Sequence, residues 1–384
     1  MSNRPRRESA ASAPDAPDAT VGAPAPGAPV TGAPVTAPDS TGRLDEALGR
    51  IHTWGPEFDG WLSNHAPMAV EALVRNGRSD TVHRWLDRYR ARLEDMPAPY
   101  APITAENRHE ALGDPRRITD WARYFVRETA DRPWREVLAE WWPPLLPGIA
   151  GGATHPVIRV GHAVRTLLTT EETAPRVAEL AHGLAYWAAR YEPLPAGLRA
   201  TGSPADVVAA LGAVAPAPDQ SSGIRERLAG LTALPDWPNT PAAPVSPEEA
   251  EARLRHLVTA ATHRYGTHGH AQPVMLVHAA TAPNAVLRTL PALPRELWAA
   301  SLGAAWAASA AVTAAYVPAG LAPWRGADPD PARASVRTAD EIFAAAAAHG
   351  DDHAIKFTDT ALDVGDGAAL IAAGRSIALI EPFQ

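Results

Sequence analysis

The sequence of 384 residues has no cysteine, a single lysine and no basic tract. Without cysteine there is no disulfide, thiolate zinc site, iron–sulfur cluster or cysteine nucleophile. The 43 acidic residues outnumber the 35 basic ones, and the net charge of −8 argues against nucleic acid or an anionic membrane as the main partner. A hydrophobic content of 46% argues against a disordered chain and predicts a sizeable core.

Familiar nucleotide and hydrolase motifs are also missing. The sequence contains no G-x-G-x-x-G, no G-x-x-x-x-G-K-[ST] and no G-x-S-x-G. Its glycine-rich residues 148–152 stand between a proline-rich helix end and another predicted helix, not after a strand. The sequence therefore lacks the motifs of a dinucleotide-binding site and of an α/β-hydrolase.

Targeting signals are weak. The arginines near the start, Arg4, Arg6 and Arg7, are followed by no apolar stretch, so we predict no secretory signal. Residues 297–317 form an uncharged run of 21 residues, long enough to cross a bilayer. Alanine dominates this run, and few larger apolar side chains are present to drive insertion. We predict a helix buried on all sides, in a soluble cytoplasmic protein that spans no membrane.

The chain divides by composition. Alanine and proline fill 18 of the positions in residues 1–40, which predicts a disordered tail. From residue 41 onward, apolar residues such as Leu44 and Leu48 recur with helical period, whereas strand alternation is scarce. The sequence predicts an all-α protein with one large irregular helical domain over 41–384. Residues 193–244, rich in proline and glycine, predict a surface excursion or a linker between lobes.

Two Ser-Pro sequences predict helix starts. Ser203 and Ser246 are each followed by proline and, three residues on, by an acidic residue. A hydroxyl at the N-cap and proline at the first helical position are typical of such starts.

Histidine is the better lead to function. Of 14 histidines, five lie within apolar helical stretches: His65, His155, His162, His278 and His353. One histidine in such a place is more often a hydrogen-bonded core residue than a ligand. Five of them favour a shared polar centre, and without thiolates such a centre suits Fe, Cu, Ni, Mn or Zn.

Other histidines are less promising. His349 and His353 have the spacing of a zinc-protease helix, but residue 350 is glycine where that motif has glutamate. We interpret His263, His268 and His270 as part of a solvated loop, because glycine interrupts a polar stretch there.

Lys356 follows His353 by three residues, so the two side chains share a helix face. The lysine is flanked by Ile355 and Phe357, which indicates burial. A buried lysine loses its proton easily. Its neutral amine can act as a Schiff-base nucleophile, as a general base, or as the carbamate that binds a metal through oxygen.

Several short motifs together carry a family resemblance. They are Asn64-His65, Tyr100-Ala-Pro-Ile103, Thr104-Ala105-Glu106, Ala153-Thr154-His155-Pro156-Val157-Ile158, His278-Ala-Ala-Thr281-Ala282 and His353-Ala-Ile-Lys356. With these motifs the chain resembles the questin oxidase-like proteins over nearly everything after residue 41. Members of that family open an anthraquinone ring oxidatively.

The resemblance implies a site and its cofactors. The family is described either as NADPH-dependent Baeyer–Villiger-type oxidases or as non-haem iron dioxygenases with four histidines and a carboxylated lysine. Carried over, the latter implies iron held by His65, His155, His278, His353 and the carbamate of Lys356. His162 competes with His65 for its place. The partners implied are an aromatic small molecule and O2.

Three hypotheses remain open from the sequence. They are a metal-dependent oxygenase that cleaves an aromatic polyketide, an NADPH-dependent Baeyer–Villiger-type oxidase, and a non-catalytic helical binding protein. The second lacks a dinucleotide fingerprint. Flat aromatic ligands stack on aromatic side chains, and the candidates here are Trp61, Trp187, Trp298, Trp306 and Tyr316.

Overall fold

The structure is a computed structural model. It describes residues 42–195, 198, 203–233, 245–323 and 338–383. The predicted tail, 1–40, and parts of the predicted excursion lie outside the described residues.

The described residues are helical almost throughout, so the all-α prediction is confirmed. The helices are α1 (Arg43–Ile51), α2 (Ala66–Arg75), α3 (Val82–Tyr89), α4 (Arg108–Ala111), α5 (Ile118–Asp131), α6 (Trp134–Leu145), α7 (His155–Thr169), α8 (Ala174–Ala189), α9 (Val207–Gly212), α10 (Ile224–Ala229), α11 (Pro247–His268), α12 (Pro273–Leu276), α13 (His278–Thr289), α14 (Trp298–Tyr316), α15 (Ala339–His349), α16 (Asp352–Val364) and α17 (Gly367–Leu379). Two short antiparallel strands, β1 (Glu57–Phe58) and β2 (Leu62–Ser63), form a hairpin just before α2.

One of the two predicted helix starts is confirmed. Ser246 caps α11 by accepting a hydrogen bond from the Glu249 backbone N–H at 3.2 Å. The prediction for Ser203 is wrong, because Asp206 caps α9 and the helix begins at Val207. The Asp206 carboxylate lies nearer the apolar run and accepts from two backbone N–H groups, which satisfies more of the unpaired donors at the helix start.

The loop predicted around His263 and His268 is also wrong, since both residues belong to α11. Gly266, which suggested a turn, is instead a point of close packing. A Cβ atom there would lie 3.4 Å from the Cβ of Ala372 on α17. Only His270 lies beyond the helix, in a short 3-10 turn.

Four helices form the centre of the fold. Helix α2 packs on α7 and α16, and α13 packs on the same two helices. Helices α7 and α13 approach most closely at Gly161, where a Cβ atom would lie 2.5 Å from the Cα of Ala285. A larger residue would separate the two backbones.

The long apolar run is a core helix, as predicted. The helical stretch Arg295–Tyr316 is the one span in the described part that is long and apolar enough to cross a membrane, and 78% of its apolar window is buried inside the protein. Its small residues allow close contact with α11 and α13. Ser309 donates a hydrogen bond to the Ala279 carbonyl at 2.7 Å.

Candidate metal centre

Four of the predicted histidines stand at helix starts. His65 immediately precedes α2, His155 and His278 are the first residues of α7 and α13, and His353 is the second residue of α16. Each helix start carries partial positive charge, which disfavours a protonated imidazole and favours a neutral one. The four central helices therefore direct their N-terminal ends at one polar centre.

The distances bring the four rings together. His155 and His278 approach with their Nε2 atoms 2.9 Å apart. The ring of His65 lies 4.4 Å from that of His155 and 4.6 Å from that of His353, between centroids. One ligand nitrogen from each of His65, His155 and His353 lies within 4.8 Å of the others. This spacing allows a single cation to contact all of them.

Hydrogen bonds to the backbone fix the tautomers of two rings. His155 Nδ1 pairs with the Gly152 carbonyl at 2.8 Å, and His278 Nδ1 pairs with the Met275 carbonyl at 3.0 Å. A carbonyl only accepts, so Nδ1 carries the proton and Nε2 carries a lone pair. Burial, and then the charges of the neighbouring histidines and Lys356, hold the pKa of both rings well below the usual value. Two facing lone pairs repel unless a proton or a cation lies between them.

A single carboxylate holds the other two rings. Asp352 accepts hydrogen bonds from Nδ1 of His65 and, at 2.9 Å, from Nδ1 of His353. Nε2 of His65 is buried and has no hydrogen-bond partner among the described residues. Burial lowers the pKa of His65 to about 4. The arrangement of carboxylate, imidazole and free Nε2 is typical of metal sites, where an outer carboxylate orients the ligand.

Asp352 was not predicted from the sequence. Burial alone would raise its pKa, but the charges of His65 and His353 hold the pKa well below the usual range. The signal that could have found it is its place beside His353 at the start of a helix, since ligand histidines usually donate to a carboxylate.

Lys356 lies at the same centre, one helical turn after His353. Its side chain is 1% exposed, and its Nζ has no hydrogen-bond partner in the part of the chain that the structure describes. Burial lowers the pKa of Lys356 to about 8, although the charges of Asp352 and Asp351 oppose the shift. The charge of Lys356 in turn helps to lower the pKa of His65, His155 and His278. The pKa of His353 is raised, and there the charge of Lys356 opposes the rise.

Three threonines that are close to these residues in the sequence are also left without partners. The hydroxyls of Thr154, Thr281 and Thr358 are buried and make no hydrogen bond within the described residues. Thr154 directly precedes His155, and Thr358 comes two residues after Lys356. Buried polar groups are normally paired, so each of these hydroxyls calls for a ligand or water that completes it.

The backbone before α7 is strained. Ala153 and Thr154 have φ angles of 55° and 66°, in the left-handed region that disfavours side chains. The turn also contains Gly152, whose carbonyl holds His155. Strain of this kind costs about 1–3 kcal/mol per residue and is concentrated at functional sites.

His162 does not belong to the centre, so it is not an alternative to His65. It lies seven residues after His155 on α7, which places it about 10 Å further along the helix. His155 and His162 share a face of α7, as predicted, but they lie about two turns apart along the helix axis.

His162 instead belongs to a buried ionic layer. Its Nδ1 is 2.6 Å from Glu71 Oε2, and Arg165 and Arg288 donate to Asp359 at 2.9 and 2.6 Å. Burial would raise the pKa of Glu71, but Arg165 and His162 lower it to about 2. The spacing of the acids and His162 would suit a cation, but the two arginines already neutralise the acids.

None of the five predicted stacking residues has a described ring contact with the four histidines. Trp187 packs edge-on against Trp142 at 5.3 Å, and Tyr316 lies under the guanidinium of Arg227. Trp306 and Trp298 are buried, whereas Trp61 is 59% exposed on the hairpin. The prediction that they stack on a ligand remains untested.

The donor set fits a transition metal. Ligand nitrogens of His65, His155 and His353 converge, and Nε2 of His278 lies 2.9 Å from Nε2 of His155. The buried amine of Lys356 has no partner among the described residues. Imidazole nitrogens suit Fe, Zn, Cu or Ni, and a carbamate on the lysine would add one anionic oxygen.

Comparison with known families identifies the family of the chain. The sequence model of the questin oxidase-like family matches residues 62–360, which is 299 of the 384 residues and includes all four histidines and the lysine. No curated protein matches the chain. The protein is thus of the oxidase class, and it belongs to the questin oxidase-like family.

Proposed function

We propose that the protein is a non-haem iron oxygenase that cleaves a C–C bond of an aromatic polyketide or a related polycyclic phenol. One observation carries the proposal. Helix starts from four parts of the chain bring imidazole lone pairs and a partnerless buried lysine to one centre. A purely structural core would pair these groups with each other or with the backbone.

The proposed ligands are Nε2 atoms of the histidines and the carboxylated amine of the lysine, namely His65, His155, His278, His353 and Lys356. A neutral amine adds to CO2 and loses a proton to become a carbamate, and the lowered pKa of Lys356 favours that neutral form. The carbamate and Asp352 contribute two negative charges, which balance a divalent ion in a buried site.

The surrounding residues position these ligands. Asp352 holds the protons of two rings on Nδ1, and the carbonyls of Gly152 and Met275 hold the other two. Nε2 is thereby left unprotonated in His65, His155 and His278. Burial would lower the pKa of His353, but the charge of Asp352 raises it. Bound ferrous iron would supply the electrons that make O2 reactive towards an electron-rich phenol. The buried surroundings keep bulk water from the centre.

The test measures oxygen consumption and product. Iron-loaded protein, a hydroxylated anthraquinone and ¹⁸O2 should give a ring-opened product that carries ¹⁸O, with no NADPH added. His278→Ala should abolish the reaction, whereas His256→Ala, on the exposed surface of α11, should leave it intact. Turnover that requires NADPH and proceeds without metal would favour the Baeyer–Villiger alternative. No oxygen uptake with iron present, with or without NADPH, would leave the binding-protein alternative.

A further inference from the structure

A small cavity lies between α11, α12, α13 and α14. Its lining includes Arg264, Tyr265, His268, Leu276, Ala279 and Thr313. Its volume is about 10 Å³, enough for one group of the size of a water molecule. Apart from the arginine and the histidine, the wall is mostly apolar.

Arg264 stands out among the arginines of α11. Arg253 and Arg255 each pair with a glutamate on the same helix. The guanidinium of Arg264 makes no ion pair or hydrogen bond with any described residue, and its Nε is buried. Burial lowers the pKa of Arg264, but the side chain stays charged. A half-buried cation without a partner is costly and points to an anion that completes it.

Two further histidines lie near Arg264 in the sequence. His268 lines the cavity, and Nδ1 of His270 is buried without a partner in the described part of the chain. Burial, the charge of Arg264 and that of His270 all lower the pKa of His268. No carboxylate lines the cavity, so nothing within its wall neutralises the arginine.

The cavity adjoins the metal centre through two elements. Leu276 and Ala279 stand on either side of His278 in the sequence. Tyr265 packs its ring 4.3 Å from that of Phe357, which follows Lys356. A flat molecule whose polar end occupied this cavity would therefore have its rings close to the ligand histidine and the lysine.

We propose that Arg264, assisted by His268, binds one anionic oxygen of the aromatic substrate, a phenolate, and so orients the rings toward the centre. A guanidinium forms strong charge-assisted hydrogen bonds to an oxyanion. The cavity has room for one oxygen atom, so the rings of the substrate would lie outside it. This inference rests on the proposed function for its substrate class.

The test compares two probes, of which only one has an ionisable proton. 2-Hydroxyanthraquinone can ionise, whereas 2-methoxyanthraquinone cannot, and binding of each is followed by quenching of tryptophan fluorescence. Arg264→Gln should weaken binding of the hydroxy probe roughly 10- to 100-fold, the usual worth of a hydrogen bond to a charged group, and should leave the methoxy probe nearly unchanged. Arg264→Lys should retain part of the affinity, and Arg255→Gln on the same helix should change neither.

Equal losses for the two probes, or no loss, would overturn the proposal. If the variants fail to fold, the pH dependence of probe binding to the parent protein tests the proposal by itself. Affinity for the hydroxy probe should rise as the pH passes the pKa of its phenol, and affinity for the methoxy probe should not. A flat profile for both would contradict a phenolate site.

The alternative ligand for Arg264 is a free small anion, which would form the same charge-assisted hydrogen bonds as a phenolate. Bicarbonate should displace the hydroxy probe from the parent if both use Arg264. If Arg264→Gln removes only the effect of bicarbonate and keeps the affinity for the probe, the site serves a free anion and the phenolate assignment fails. Iron content is measured on every sample. Loss of iron or of oxygen uptake in the parent would reject the proposed function while the comparison of probes still stands.

Discussion

Asp352 shows how much of the centre depends on one residue. Its carboxylate accepts from Nδ1 of both His65 and His353, and no other carboxylate bonds to both of these rings in the described residues. An imidazole whose Nδ1 proton is fixed offers Nε2 as its lone pair. The residue therefore sets the tautomers of two proposed ligands at once.

Asp352→Asn should weaken metal binding about 10- to 100-fold, the range for loss of an outer-shell partner. Both rings bond to the same oxygen of Asp352, Oδ1, and the neutral amide oxygen of asparagine is a weaker acceptor there than a carboxylate oxygen. The measurement is calorimetric titration of the apo-protein with ferrous iron under argon. Asp340→Asn, whose side chain is 77% exposed, is the matched control. Equal affinities of Asp352→Asn and the parent would show that Asp352 is not a positioning residue.

Sequence reasoning named residues that the structure brings together, but it did not name all of their partners. The four histidines and Lys356 were predicted because few residue types carry such chemistry and because the resemblance aligned them. Asp352, which holds two of the rings, and Arg264, which we propose binds the substrate, were not named. Aspartate and arginine are common, and their roles depend on which partners lie nearby. His162 was placed too close to the centre, because a shared helix face says nothing about level along the helix.

At the scale of helices, the geometry of the centre depends on how far each helix is shifted along its neighbours. Helices α2, α7, α13 and α16 supply the ends that meet at the histidines, and the same helices supply the buried ionic layer about two turns further on. Ion pairs between helices fix one arrangement, since sliding by a turn would leave buried charges unpaired. The ionic layer thus helps to align the four helix starts.

Gly161→Ala tests the closest contact between two of these helices. The new Cβ would clash with the backbone of Ala285, so α7 and α13 must move apart and separate His155 from His278. We expect a loss of about 1–3 kcal/mol in the free energy of unfolding, as for overpacked cores, together with weaker iron binding.

The control is the same substitution at Gly49, an exposed helical position where a Cβ meets nothing within 4 Å. Gly49→Ala should stabilise the protein by about 0.5–1 kcal/mol and leave iron binding unchanged. Urea unfolding and iron titration provide the two measurements. If Gly161→Ala behaves like the control, the contact between α7 and α13 does not set the geometry of the histidines.

For the molecule as a whole, the sequence predicted that the protein is helical, but it did not predict how the helices are arranged. Period and composition predicted an all-α protein and a buried α14, because both depend on local pattern. The convergence of four helix starts depends on contacts such as Gly161 with Ala285, which lie far apart in the chain. The turn predicted near Gly266 failed for the same reason, since close packing of helices also selects glycine.

Buried histidines outside the centre predict acid sensitivity. Burial, with the charges of His52 and Arg159, lowers the pKa of His182 to about 3. Below about pH 6.5 the unfolded chain binds a proton at this histidine that the folded protein does not. The free energy of unfolding should therefore fall as the pH decreases from 6.5 toward 3, by up to ~1.4 kcal/mol per pH unit from this residue alone.

His182→Gln should remove that part of the slope between pH 6.5 and 4, and His256→Gln on the exposed surface should keep the slope of the parent. Urea unfolding at several pH values measures both. An identical slope in parent and His182→Gln would contradict the lowered pKa and the burial that causes it.

The measurement that tests the central claim most directly is metal analysis of protein purified without oxygen, alongside Lys356→Ala and Lys356→Arg. The account predicts nearly one iron per chain in the parent and loss of iron in both variants, because neither alanine nor arginine can form the carbamate. A parent that holds no iron and cannot be reconstituted with it would contradict the account. Full iron occupancy in Lys356→Arg would contradict the assignment of the lysine.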